Sequence, residues 1–200
     1  MNNTVCCLDL EGVLIPEIWI KVSEKTRIKE LSLTTRDIPD YDALMSRRLK
    51  ILKTRRVTLR DIQNVISRIE PLPGAKKFLQ SLRAKAQVIV LSDTYYEFAW
   101  ALMKKLGHPP LFCNWLETDE RGYIREYHLR QVNGKEKAVI GLKELGFRVA
   151  AAGDSYNDLT MLRAADRGVL YRPPAKIASD FPQFKVTRTY PELLKALSLK

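Results

Sequence analysis

Thr4-Val5-Cys6-Cys7-Leu8-Asp9-Leu10-Glu11-Gly12 and Arg148-Val149-Ala150-Ala151-Ala152-Gly153-Asp154-Ser155-Tyr156-Asn157-Asp158 follow one pattern. Each is an apolar run too short for a helix, and each passes directly into acidic residues and turn formers. Such runs read as buried strands whose carboxyl ends carry the polar groups. Gln87 to Leu91, followed by Ser92-Asp93-Thr94, repeats the pattern between them.

Around these runs the chain alternates. Helical patterns cover Ala75–Lys85, Tyr95–Leu106, a stretch after Gly134 and Asn157–Ala165; a short strand, Gly168–Tyr171, and a helix from about Pro191 follow. Strands and helices alternating at this pitch predict an α/β fold with a doubly wound, Rossmann-like parallel sheet. Leu111–Arg130 carries Glu120-Arg121-Gly122-Tyr123 between apolar stretches, which predicts a small β-hairpin. From Pro16 to Pro71 the pattern is helical only. A first helix holds Ile18, Trp19, Ile20 and Val22 and ends near Thr26. Asp40, after Pro39, caps a second over Tyr41–Lys53, and Thr58 with Asp61 forms a capping box for a third. That third helix sets Ile62, Val65, Ile66 and Ile69 in one stripe. The expected organisation is a core of residues 1–15 and 72–200 interrupted by a helical cap over 16–71.

Composition bounds the function. The chain has 200 residues, with 34 Lys and Arg against 23 Asp and Glu, a formal charge of +11. A hydrophobic share of 46% with 28% charged residues is the balance of a soluble globular protein. No run approaches the roughly 18 apolar residues of a membrane span. Met1-Asn2-Asn3-Thr4 lacks the basic and apolar regions of a signal peptide, so the expected location is the cytoplasm. Cys6, Cys7 and Cys113 form neither a disulfide framework nor a zinc spacing, and are expected as buried hydrophobes. The basic residues are dispersed and no nucleic-acid module is present, although a basic nucleic-acid-binding module without catalysis is the rival from another class.

Polar residues at three strand ends mark the ligand side of an open α/β sheet. Phosphoryl transfer through an acyl phosphate needs a carboxylate nucleophile, a cation, donors for phosphate oxygens and an acid for the leaving alkoxide. Asp9 fits the nucleophile, and Asp154 on a neighbouring strand end can share a metal with it. Oxygen donors without His or Cys select a hard ion such as Mg²⁺. Ser92 and the amides after it can hold phosphate oxygens. Lys135 can balance charge, with Lys137 as its competitor. Glu11 shares a face with Asp9 if the chain stays extended, as a proton donor must. Arg48 falls in an apolar stripe between Leu44 and Leu52. Its partner is a substrate carboxylate or a residue such as Asp42, or else it snorkels at the stripe's edge. For Glu17 the stronger reading is structural, since the helix dipole favours an acid in a first turn anyway. His108 and His128 show no acidic or Cys partner at ligand spacing, and Trp19, Trp100 and Trp115 read as core or hinge packing.

Asp9-Leu10-Glu11-Gly12-Val13-Leu14, Ser92-Asp93, Lys135 and Gly153-Asp154-Ser155-Tyr156-Asn157-Asp158 resemble, in order, the four motifs of the haloacid dehalogenase superfamily. A helical insertion between the first two is similar to that superfamily's phosphoserine phosphatase branch. The fragments Asp9 to Ile20, Thr34-Thr35-Arg36-Asp37-Ile38-Pro39-Asp40-Tyr41-Asp42 and Ala151 to Asp158 resemble its bacterial members that also transfer phosphate to homoserine. The resemblance implies a Mg²⁺-dependent enzyme of serine biosynthesis, monomer or homodimer, acting on O-phosphoserine with homoserine as a further acceptor. It also implies roles. Asp9 becomes the aspartyl phosphate, and Glu11 is the general acid and base. The Glu11 carbonyl, Asp9 and Asp154 bind the metal, with Asp158 behind them. Ser92, the Asp93 amide, Lys135 and Asn157 hold the phosphate, while Glu17 and Arg48 grip the amino and carboxylate groups. Most phosphoserine phosphatases have Asp where this chain has Glu11, and the phosphotransferase branch has Glu. A haloacid dehalogenase-type phosphatase for another small phosphomonoester is the alternative within enzymes.

Overall fold

The computed structural model describes residues 3–34, 37–38 and 40–198; Thr35, Arg36 and Pro39 of the second quoted fragment lie outside the described residues. In chain order the elements are β1 (Thr4–Leu8), α1 (Ile18–Thr26), α2 (Tyr41–Thr54), α3 (Leu59–Ile66), α4 (Ala75–Arg83), β2 (Gln87–Tyr95), α5 (Tyr96–Lys105), β3 (Leu111–Thr118) and β4 (Ile124–His128). They continue as α6 (Gly134–Glu144), β5 (Arg148–Gly153), α7 (Leu159–Ala164), β6 (Arg167–Tyr171), α8 (Ala175–Asp180), β7 (Lys185–Thr187) and α9 (Tyr190–Ala196).

Among the described residues the strands form one sheet in the order β4-β3-β2-β1-β5-β6-β7. Every pairing is parallel except β3 with β4, the hairpin. β1 is central and buried along its whole length, so its alternate side chains enter opposite layers. Cys6 and Leu8 join Ala150 and Ala152 on one face, beneath α4, α5 and α9. Val5 and Cys7 join Val149 and Ala151 on the other, beneath α6, α7 and α8. All three cysteines are free and buried. The α/β fold with a parallel, doubly wound sheet is therefore as expected.

The helical segment between β1 and α4 shares its apolar core with the first of these faces. Val22, Met45, Ile62 and Ile66 belong to the same buried cluster as Leu8, Phe98 and Leu102. Asp40 caps α2 by accepting the Ala43 amide, and Thr58 and Asp61 form the expected capping box.

Several expectations change. β2 runs through Ser92-Asp93-Thr94 to Tyr95, because this segment pairs on with β3 across a register shift. The helix expected from Asn157 starts as a 3-10 turn over Tyr156–Asp158. α8 and β7 have no forecast; they are six and three residues long, below the length at which periodicity shows. Trp19 is buried, but Trp100 is 70% exposed and Trp115 42% exposed. α5 buries Phe98, Ala99, Leu102 and Met103, leaving Trp100 on its outer side, and Trp115 stacks on His128 across the hairpin.

Gly168 opens the way for α7 to lie on β6. A Cβ there would sit 2.4 Å from the Leu162 carbonyl oxygen, a backbone atom that moves only with its helix. Gly168→Ala is therefore expected to destabilise the protein by about 1–3 kcal/mol, although alanine costs less chain entropy than glycine. Urea denaturation checks it; an unchanged midpoint would mean that α7 is not held against the strand.

Candidate active site

The ends of β1 and β5 lie side by side. Leu8 pairs with Ala152, and the Asp9 amide donates to the Ala152 carbonyl at 2.9 Å. Asp9 therefore leaves its strand just where β5 delivers Gly153 and Asp154. Two glycines make room for the carboxylates. Gly12, at φ +77°, would place a Cβ 2.5 Å from the Asp154 carboxyl carbon; at Gly153 a Cβ would lie 2.3 Å from that of Asp158. Oxygens of Asp9, Asp154 and Asp158 all fall within 4.8 Å of one another, and all three residues are buried.

One cation sits among them. Lys135, in the first turn of α6, reaches Asp9 Oδ1 and Asp158 Oδ1 at 2.8 Å each and Asp93 Oδ2 at 3.3 Å. Lys137 is exposed, so of the two lysines Lys135 is the one buried in the carboxylate cluster. Burial alone would push the Lys135 ammonium down, but Asp158, Asp9 and Asp93 outweigh it and hold its pKa well above the usual value. Asp9 is driven the opposite way for a carboxyl, upward, by burial and then by Asp158, with Asp154 adding and Lys135 opposing. Asp158 is saturated within the protein: besides Lys135, it accepts the amides of Asp154 at 2.9 Å and Ser155 at 3.1 Å. Asp9 and Asp154, with oxygens in this same cluster, could share a cation. Three buried carboxylates against one lysine, with oxygen donors alone, fit a hard divalent ion.

Asp93 ties the next strand end to this cluster. Its carboxylate accepts Asn157 Nδ2 at 2.7 Å in addition to the Lys135 contact. Its carbonyl accepts Asn114 Nδ2 at 3.0 Å and the Tyr41 hydroxyl at 3.3 Å. Ser92 is buried, lines the same small cavity as Asp93 and Lys135, and accepts the Thr94 amide on its hydroxyl at 3.2 Å. Asn114 also accepts the Arg130 amide at 3.0 Å, clamping the Asp93 end of β2 to the segment that leads into Lys135. Neither Asn114 nor Tyr41 was marked by the sequence. Asn114 sits mid-strand with no turn signal, and Tyr41 is one aromatic residue at a helix start. A cleft of about 1100 Å³ opens beside these residues, lined by Tyr41, Asp42, Asp93, Asn114, Lys135 and Asn157 among others.

Glu11, Glu17 and Arg48 make a second group. Glu11 Oε2 accepts the Ile18 amide at 2.7 Å, so Glu11 caps α1, while Glu17 at the N-cap position makes no side-chain cap. Burial, then the charge of Glu17, raises the Glu11 carboxyl to about 8, against the pull of the Ile18 amide, Arg48 and Lys135. Arg48 is 5% exposed, which excludes snorkelling. It does not pair with Asp42, which instead accepts the Tyr127 hydroxyl. Among the described residues Arg48 forms no salt bridge. Its guanidinium lies 4.4 Å from the Trp19 ring centroid and donates to the Leu33 carbonyl at 2.6 Å, and its Nε has no partner. Trp19 thus positions Arg48 from the helix that begins beside Glu17.

The expectation for His128 is overturned. Cross-strand pairing sets Glu117 opposite Glu126, and His128 Nε2 lies 3.4 Å from Glu117 Oε2. Glu126 and His128 are two apart, the strand period that places both on one face.

A family profile described as haloacid dehalogenase-like hydrolase matches residues 4–166, most of the chain. The chain belongs to that family. Two relatives place this hydrolase in its phosphoserine phosphatase branch. The phosphoserine phosphatase of Pseudomonas syringae pv. tomato is 52% identical over 191 residues, covering 96% of this chain and 81% of that protein. Phosphoserine phosphatase ThrH of Pseudomonas aeruginosa is 52% identical over 189 residues, covering 94% and 92% respectively. A solved phospho-aspartyl intermediate analogue of a phosphoserine phosphatase superposes with a TM-score of 0.81 at 17% identity, over 99% of this chain and 100% of that one, and so shares the fold.

Removing the buried cation of this hydrolase should be costly. Lys135→Met is expected to lose about 3–5 kcal/mol, because Asp9 and Asp158 are left buried and uncompensated. Lys137→Met, on the exposed side of the same helix, should stay within about 0.5 kcal/mol of wild type. Chemical denaturation of both variants checks this, and equal losses would contradict it.

Proposed function

We propose that the chain hydrolyses O-phosphoserine through an aspartyl phosphate and transfers the phosphoryl group to homoserine when that alcohol is present. The observation that carries the substrate assignment is Arg48, a buried guanidinium that forms no salt bridge among the described residues and has an unpartnered Nε. A buried arginine calls for an anion, and a substrate carboxylate supplies one. Glu17 offers the opposite charge for the amino group. The names of the two 52%-identical relatives support the same reading.

In this reading residues 16–71 are the specificity cap and residues 1–15 and 72–200 the catalytic core. Asp9 attacks phosphorus while Glu11 protonates the departing serine oxygen. A carboxyl raised to about 8 holds its proton at neutral pH, as a general acid requires. Glu11 then takes a proton from water or from the homoserine hydroxyl, which attacks the aspartyl phosphate. Ser92, the Asp93 amide and Lys135 hold the phosphate oxygens, and Asn157 steadies Asp93. Mg²⁺, held by Asp9, Asp154 and the Glu11 carbonyl with Asp158 behind them, would supply the charge that offsets the phosphate. The reaction releases serine, which fits a role in amino-acid biosynthesis. Three free buried thiols fit a reducing compartment such as the cytoplasm.

Kinetics on a panel of phosphomonoesters with Mg²⁺, with and without homoserine, tests the reading. Phosphoserine should be preferred over phosphoethanolamine, which lacks the carboxylate, and phosphohomoserine should form when homoserine is added. Arg48→Ala should lose roughly ten- to a hundredfold in kcat/KM on phosphoserine alone, the worth of a charge-assisted contact of about 1.5–3 kcal/mol. Arg48→Lys should recover part, keeping the charge without the planar fork. Equal losses on both substrates would defeat the amino-acid assignment.

A further inference from the structure

At the other end of the sheet, where β6 and β7 begin, lies a hollow of about 720 Å³ that the proposed reaction does not use. Arg163, Arg167, Lys185 and Lys195 line it, over a floor that includes Phe184. Among the described residues Asp166 is the only acid on the lining, and it is already committed: it accepts the Val149 amide at 2.7 Å and pairs with Lys143 at 3.0 Å. Both arginines are held in place. Arg167 donates to the carbonyls of Ala196 and Ser198, and Arg163 lies over the Phe181 ring at 5.4 Å. Four cations and one acid on the lining give the hollow a positive excess that an entering anion would offset. Its volume is that of a small-molecule site, and an apolar floor beneath a charged rim suits a ligand with both characters.

We propose that this hollow is a second ligand site, taking a small phosphorylated metabolite that carries two negative charges next to an apolar group. Arginine provides the planar donors that match phosphate oxygens, and the two lysines add point charge. The site is separate from Asp9, at the carboxyl end of β1, and from Lys135, in the first turn of α6, so its occupant can bind while substrate is turned over.

Calorimetric titration of the whole chain with phenylphosphonate, a non-hydrolysable dianion bearing an aromatic ring, tests this. Run at low salt with and without Mg²⁺, it should show binding that persists in chelator. That binding should weaken at least about tenfold in Lys185→Gln/Lys195→Gln, as expected for the loss of two charged contacts. The same double variant should keep its melting temperature and its phosphatase kinetics, since both lysines are exposed. Failure to bind at millimolar ligand, or binding indifferent to the double substitution, would overturn the site. So would a surface that refuses phenylphosphonate yet takes short single-stranded DNA, because it would then be a track for polyanions. Because the titration does not depend on turnover, its failure leaves the phosphoserine assignment standing, and failure of that assignment leaves this site standing.

Discussion

Everything in the candidate site leans on one ammonium group buried among carboxylates. Lys135 reaches Asp9, Asp158 and Asp93, which issue from three different segments, so a single charge holds β1, β2 and the turn after β5 together. Such an arrangement is tolerable only with near-ideal contacts, because each buried ion carries a desolvation cost of several kcal/mol. The backbone meets that condition: strand register brings Asp9 beside Gly153, two glycines make room for the carboxylates, and two amides steady Asp158. Even so, the negative charge exceeds the positive. That surplus is what makes the cluster suited to a divalent cation rather than to stability alone.

The inserted helices are attached to this cluster through polar contacts as well as apolar ones. Glu11, two residues beyond Asp9, caps α1. Tyr41, at the start of α2, reaches the Asp93 carbonyl, and its hydroxyl lies 2.7 Å from that of Tyr95. Trp19 ties Arg48 of α2 back to α1. A movement of the helices away from the sheet would therefore disturb the Asp93 end of β2, Glu11 and Arg48 together. On the proposed reading, this couples substrate recognition to the chemistry without any residue serving both directly.

Much of this was legible in the sequence because its signals are local. Apolar runs that end in Asp9, Ser92-Asp93 and Asp154 reveal strands and their ligand-bearing ends, and Thr58 with Asp61 reveals a helix start. Arg48 stood out because a charge in an apolar stripe breaks a period. What stayed hidden depends on pairing between distant segments. Asn114 matters only because β3 lies against β2, and Glu117 meets His128 only because the hairpin folds back. Trp100 and Trp115 misled because bulk and apolarity do not say which side of an element faces inward. β7 and α8 were too short to show a period at all.

The most direct test of the central claim, that the lysine-bound carboxylate Asp9 carries the phosphoryl group, is chemical trapping. Wild-type protein is quenched in acid during turnover of phosphate-labelled phosphoserine, digested and mapped by mass spectrometry. The account predicts an acid-stable, hydroxylamine-labile phosphoryl group on the peptide containing Asp9, and none in Asp9→Asn. Turnover without any labelled protein, or a label on a different residue, would contradict it.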